Sequence, residues 1–99
     1  MDFLSAYKQM KENKSFVRRV CWHENTFIWL KDSCDILETW CKDENLKKVI
    51  HKFGNKNEDG VKTIKAEAVL CIYQLDAVHT GFKPTVADIN AKDWEIINL

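Results

Sequence analysis

The run Pro84-Thr85-Val86-Ala87-Asp88-Ile89-Asn90-Ala91-Lys92-Asp93-Trp94-Glu95-Ile96 constrains the fold more than any other part of the sequence. Chain ends fray unless something ties them down, yet this one closes on Trp94, Ile96, Ile97 and Leu99. So apolar a close predicts a final strand inside the fold, running from Trp94. Thr85 followed three residues later by Asp88 has the pattern of a helix cap. That predicts a single helical turn over Val86 to Asn90. Polar residues in such a turn are held at a fixed place, as a binding site requires.

The remaining elements follow from hydrophobic spacing. Phe3, Ala6, Tyr7 and Met10 recur at helical intervals, so Leu4 to Glu12 predicts a short amphipathic helix capped by Asp2. Phe16, Val17, Val20 and Trp22 mark a first strand, with Arg18 and Arg19 inside it. Thr26 to Leu30 marks a second, joined to the first by the short hairpin link His23-Glu24-Asn25. From Ser33 to Phe53, apolar residues at intervals of three and four predict one broken helix or two short ones. Gly54 to Gly60 reads as a loop. From Val61 to Leu75 apolar and polar residues alternate through Ile64, Ala66, Ala68, Leu70 and Ile72, predicting one long strand. His79-Thr80-Gly81 then reads as a turn. The sum is an α+β fold, an N-terminal helix packed on a small antiparallel sheet, with a helical segment in the middle.

With 99 residues the chain makes one small domain, residues 1–99, whose modest core association into oligomers would extend. Fifteen basic and fifteen acidic side chains cancel, which argues against a nucleic-acid polymer as partner, since such binding neutralises many phosphates. No apolar run is long enough to span a membrane, and the acidic start Met1-Asp2-Phe3-Leu4 argues against a secretory signal. Cys21, Cys34, Cys41 and Cys71 lack the close spacing of a zinc site and read as reduced thiols of a cytosolic protein.

No motif of activated nucleophile, metal ligation or phosphate-cradling glycine loop occurs, so the chain reads as no enzyme and as needing no cofactor. His23, His51 and His79 have no partner at motif spacing and read as surface or loop residues. The positive signal is aromatic and basic. An indole stacks on a purine for about 1–3 kcal/mol, and an adjacent arginine can grip phosphate through paired hydrogen bonds. Trp22 follows Arg18 and Arg19; strand alternation puts Arg18 on Trp22's face and Arg19 opposite. Trp29 and Trp40 are assigned to core or subunit contacts. Thr85 and Asp88 admit two readings, a helix cap alone or hydrogen-bonding groups for a ribose or base edge.

These residues together resemble the phage Thoeris anti-defence sponge family of the second type. Its members carry a helix like Asp2-Phe3-Leu4-Ser5-Ala6 and a strand ending in arginine and tryptophan, as in Lys14 to Trp22. They end on a Pro-Ser/Thr-x-x-Asp-aliphatic-x-Ala-x-Asp-Trp string, which Pro84 to Trp94 fits at every fixed place. The resemblance implies a homotetramer or dimer in the host cytoplasm. It would sequester a signalling nucleotide, chiefly a cyclic ADP-ribose isomer, without cleaving it. By position Trp22, Asn25, Thr85 and Asp88 inherit pocket roles, and Arg18 and Arg19 inherit phosphate contacts. Phe82 joins them, standing where tryptophan is common in the family. Cys21 replaces a usual glycine, the Asn-Gly pair after Trp22 is reduced to His23-Glu24-Asn25, and residues 32–60 look like an insertion. Two alternatives stand beside this expectation: sequestration of cyclic dinucleotides, or capture of a host or phage protein through the apolar residues Ile36, Leu37, Trp40, Leu46 and Ile50.

Overall fold

A computed structural model describes all 99 residues. In chain order the elements are α1 (Phe3–Asn13), β1 (Phe16–Arg19), β2 (Phe27–Lys31), β3 (Cys34–Leu37), a 3-10 turn (Glu38–Trp40) and α2 (Glu44–Phe53). Then follow β4 (Asn55–Lys56), β5 (Lys62–Ala66), β6 (Val69–Gln74), β7 (Ala77–Thr80), α3 (Val86–Asn90) and β8 (Trp94–Ile97). The fold is α+β, and all strand pairs are antiparallel. The chain divides into two compact units, one of Met1–Asp32 with Val69–Leu99, the other of Ser33–Ala68.

The first unit is a five-stranded sheet in the order β7-β6-β2-β1-β8. The Asp2 carboxylate accepts from Ser5 N–H at 2.8 Å and starts α1. Ala6 and Met10 of that helix meet Val17, Ile28, Ile72 and Trp94 on one sheet face, forming the core. Alternation turns Phe16, Phe27, Trp29 and Tyr73 to the other face, where their rings lie 5.4–5.9 Å apart in consecutive contacts. Trp29 is therefore half-buried in an aromatic cluster outside the helix-packed core. The last strand is where the sequence places it: β8 pairs with β1, Trp94 opposite Arg19.

Three expectations need correction. The alternating stretch from Val61 is two strands, not one. β5 pairs with β3 and β4, and β6 with β2 and β7, the chain breaking at Glu67–Ala68 because each half finds different partners. Ile36 and Leu37 lie in β3 and only the later part of Ser33–Phe53 is an α-helix; strand pairing with β5 overrides their helical spacing. The hairpin turn is at Leu75–Asp76, while His79 and Thr80 are in β7.

In the second unit, β3-β5-β4 form a small sheet, with α2 packed on β5 and Ile50 wholly buried. Asp43 caps α2 by accepting from Asn45 and Leu46 N–H. Gly54 ends it where a Cβ would meet the carbonyl oxygens of Ile50 and Thr63 at 2.5 and 2.7 Å. Trp40 is 79% exposed and is not part of this unit's core.

The Leu75–Asp76 turn has φ of 51° and 62°, the left-handed pair that favours Asn-Gly in two-residue hairpins. Leucine there is strained by about 1 kcal/mol. The double change Leu75→Asn with Asp76→Gly is therefore expected to raise the melting temperature by about 4–8 °C. An unchanged or lower melting temperature in thermal unfolding contradicts this.

Candidate ligand-binding cleft

After Arg19 the chain leaves the sheet and reverses, with Trp22 N–H donating to the Arg19 carbonyl at 3.0 Å. Trp22 is thus in a turn beyond β1, and the link to β2 runs from Val20 to Thr26, longer than the three-residue hairpin link expected. The reversal lays the indole edge-to-face against Trp94 at 5.1 Å and against Phe82 at 5.9 Å. It also undoes the parity argument, because alternation ends with the strand. Arg18 meets only the Trp22 backbone, Nη1 donating to its carbonyl at 3.0 Å, while Nε donates to Glu95 at 2.8 Å. Arg19 donates through Nε to Asp93 at 3.0 Å and through Nη1 to Asp88 at 3.1 Å.

Asp88 is the only buried charged residue, at 7% exposure. A reciprocal capping box fixes it. Thr85 N–H donates to its carboxylate at 3.0 Å, and its own N–H donates to Thr85 Oγ1 at 3.1 Å. The Trp94 indole N–H donates to the Asp88 carbonyl at 2.9 Å, which ties α3 to β8. The cap reading of Thr85 and Asp88 is thus realised, and Asp88 also lines an open space.

That space is a cleft of about 340 Å³ lined by Trp22, His23, Thr26, Ile72, Gln74, Phe82 and Asp88. A second cleft of about 310 Å³ shares His23 and Thr26 and adds Asn25, Tyr73, Leu75 and Asp76. Of the residues singled out from the sequence, Trp22, Phe82 and Asp88 converge on the first cleft and Asn25 lines the second. Arg18, Arg19 and Thr85 stand behind the wall, bonded to residues that line it. Sequence reasoning missed His23, Thr26, Ile72 and Gln74. The shared parity of Ile72 and Gln74 on β6 was a usable signal; nothing local marked His23.

Burial pushes the Asp88 carboxyl up, but the bonds from Thr85 and Arg19 more than offset this and hold it below its ordinary value of 3.8. Asp93, then Asp88, hold the Arg19 guanidinium above its ordinary range. A carboxyl with a lowered folded pKa stabilises above its unfolded value and loses that contribution as pH falls through the folded one. Stability should therefore decline below about pH 4. Asp88→Asn should cost about 2 kcal/mol at pH 7 and flatten that decline. Urea midpoints from pH 2 to 7 check this, and equal acid slopes for both proteins contradict it.

The Thoeris anti-defense 2-like (Tad2-like) domain model matches residues 1–97. The chain belongs to the Tad2-like family. No curated protein matches the chain. The Tad2-like match runs through both units, so Ser33–Ala68 lies inside the matched span. The Tad2-like assignment gives the chain an anti-defence role against Thoeris. No helix is long and apolar enough to cross a membrane.

Proposed function

We propose that this Tad2-like domain sequesters a small signalling nucleotide, a cyclic ADP-ribose isomer, and releases it unaltered, so that the effector in the host cytoplasm is never triggered. The observation that carries this reading is the cleft in which the Trp22 and Phe82 rings stand beside the anchored carboxylate of Asp88. The rings supply stacking surface for a base. Asp88, with two lone-pair directions beyond its internal bonds, accepts from ribose hydroxyls or an exocyclic amine; Thr85 holds it in place, and Asn25 adds a polar group on the adjoining cleft. Arg18 and Arg19 hold the Trp22 carbonyl and the Asp88 carboxylate in place from behind the wall.

A useful sponge must bind below the concentration that triggers the effector, which suggests nanomolar affinity, about −12 kcal/mol. A homo-oligomer, tetramer or dimer, would help by enclosing the open cleft. The reading is of a binder, not an enzyme. Native mass spectrometry against cyclic ADP-ribose isomers and cyclic dinucleotides tests it, reporting subunit number and ligand together. Retention of one cyclic ADP-ribose isomer is the expected result; retention of a cyclic dinucleotide alone replaces the ligand, and retention of nothing defeats the proposal.

One observation favours a second reading, capture of a host or phage protein by the unit of Ser33–Ala68. Trp40 and Phe53 are 79% and 66% exposed there. Ile50, however, is buried within that unit, so the surface offered is narrower than the apolar spacing suggests. Deleting residues 33–68 and measuring nucleotide binding separates the two readings.

A further inference from the structure

We infer that His23 reads the phosphate of the bound nucleotide through its Nε2–H group and sets the preference of the cleft for phosphorylated over unphosphorylated ligands. The inference rests on the nucleotide reading above and adds a residue that neither the motif nor the family pattern assigns.

Both clefts are unfavourable to phosphate as far as their carboxylates go, with Asp88 from α3 in one and Asp76 from the β6–β7 turn in the other. No lysine or arginine lines either of them. The nearby guanidiniums are already engaged, Arg18 by Glu95 and Arg19 by Asp93 and Asp88. His23 is the one basic side chain on the lining, and it lines both clefts. A group at their junction can meet a phosphate bridging a base in the Trp22 cleft to a sugar in the other.

The ring's tautomer follows from its local bond. Asn25 N–H donates to His23 Nδ1 at 3.1 Å, so Nδ1 carries the lone pair and the proton is on Nε2. The exposed imidazole therefore presents a fixed N–H donor from a loop whose shape that same ring maintains. A hydrogen bond to an ionised phosphate oxygen is about twice as strong as one between neutral groups.

The double role makes the test discriminating. An asparagine side chain can place Oδ1 where Nδ1 lies, keeping the bond from Asn25 N–H two residues on, but it has nothing at the position of Nε2. The parent chain, His23→Asn and His23→Ala are titrated with cyclic ADP-ribose by calorimetry and with adenosine by NMR. The expected result for His23→Asn is cyclic ADP-ribose weakened by about fivefold or more, with adenosine within about twofold of the parent. His23→Ala should weaken both, since it also frees the loop. Parent-like cyclic ADP-ribose binding by His23→Asn overturns the inference, and so does an equal loss of both probes, which would assign His23 to loop shape alone. A parent chain that retains neither probe refutes the nucleotide reading itself, and the inference with it.

Discussion

Trp94→Ala is expected to lower the melting temperature by about 15–30 °C, the largest stability effect of any single substitution in the first unit. Trp94 is 2% exposed, with its ring against Phe3 at 5.3 Å and Trp22 at 5.1 Å. Truncating a buried tryptophan costs about 3–5 kcal/mol, a large share of the 5–15 kcal/mol typical of a small domain. The indole N–H is also the bond that ties the Asp88 carbonyl to β8. Trp94→Phe should keep most of the packing and lose that bond, giving a smaller drop of about 1–3 kcal/mol. Thermal unfolding followed by circular dichroism checks both, and a shift below about 5 °C for Trp94→Ala contradicts the packing described.

Trp22→Ala should have the largest effect on ligand capture, weakening it by about tenfold to a hundredfold, the equivalent of one base losing its aromatic partner. Trp22 is only half-buried and lies in a turn, so the fold should tolerate its loss far better than that of Trp94. The pairing of the two results carries the argument. Trp94→Ala reduces capture by melting the protein, whereas Trp22→Ala reduces it in a protein that still unfolds cooperatively. Trp22→Phe keeps an aromatic face and should recover part of the affinity. Unchanged capture in a folded Trp22→Ala protein removes the indole from the site.

What the sequence makes legible is what local chemistry decides. The Thr85–Asp88 cap, the helical turn behind it and the strand from Trp94 are all written in short-range signals, and each is found where those signals put it. The same is true of α1 behind Asp2. Long-range choices are not legible in this way. The alternation from Val61 to Leu75 runs unbroken through Glu67 and Ala68, and only the partners of β5 and β6 decide that the chain divides there. Ile36 and Leu37 keep helical distance from Trp40 and Cys41, yet pairing with Ile64 and Thr63 makes them a strand. The Leu75–Asp76 turn contains none of the glycine or asparagine that would announce it.

The cleft divides along the same line. Trp22, Phe82 and Asp88 come from segments far apart in the chain, and the turn after β1 brings them to one cavity. Residue type points to Arg18 and Arg19 as phosphate groups, but type cannot foresee that Glu95, Asp93 and Asp88 engage their guanidiniums. Nor can it foresee that His23, read as a loop residue, would stand at the junction of two clefts.

On the proposed function, the cleft takes up a small phosphorylated messenger and returns it chemically intact. The direct measurement is to load the purified chain with cyclic ADP-ribose isomers, wash it, denature it by heat, and identify what is released by liquid chromatography and mass. One isomer should be recovered at its original mass, in amounts stoichiometric with clefts. Recovery of a hydrolysed or otherwise altered product, or of no nucleotide from folded protein, would contradict it.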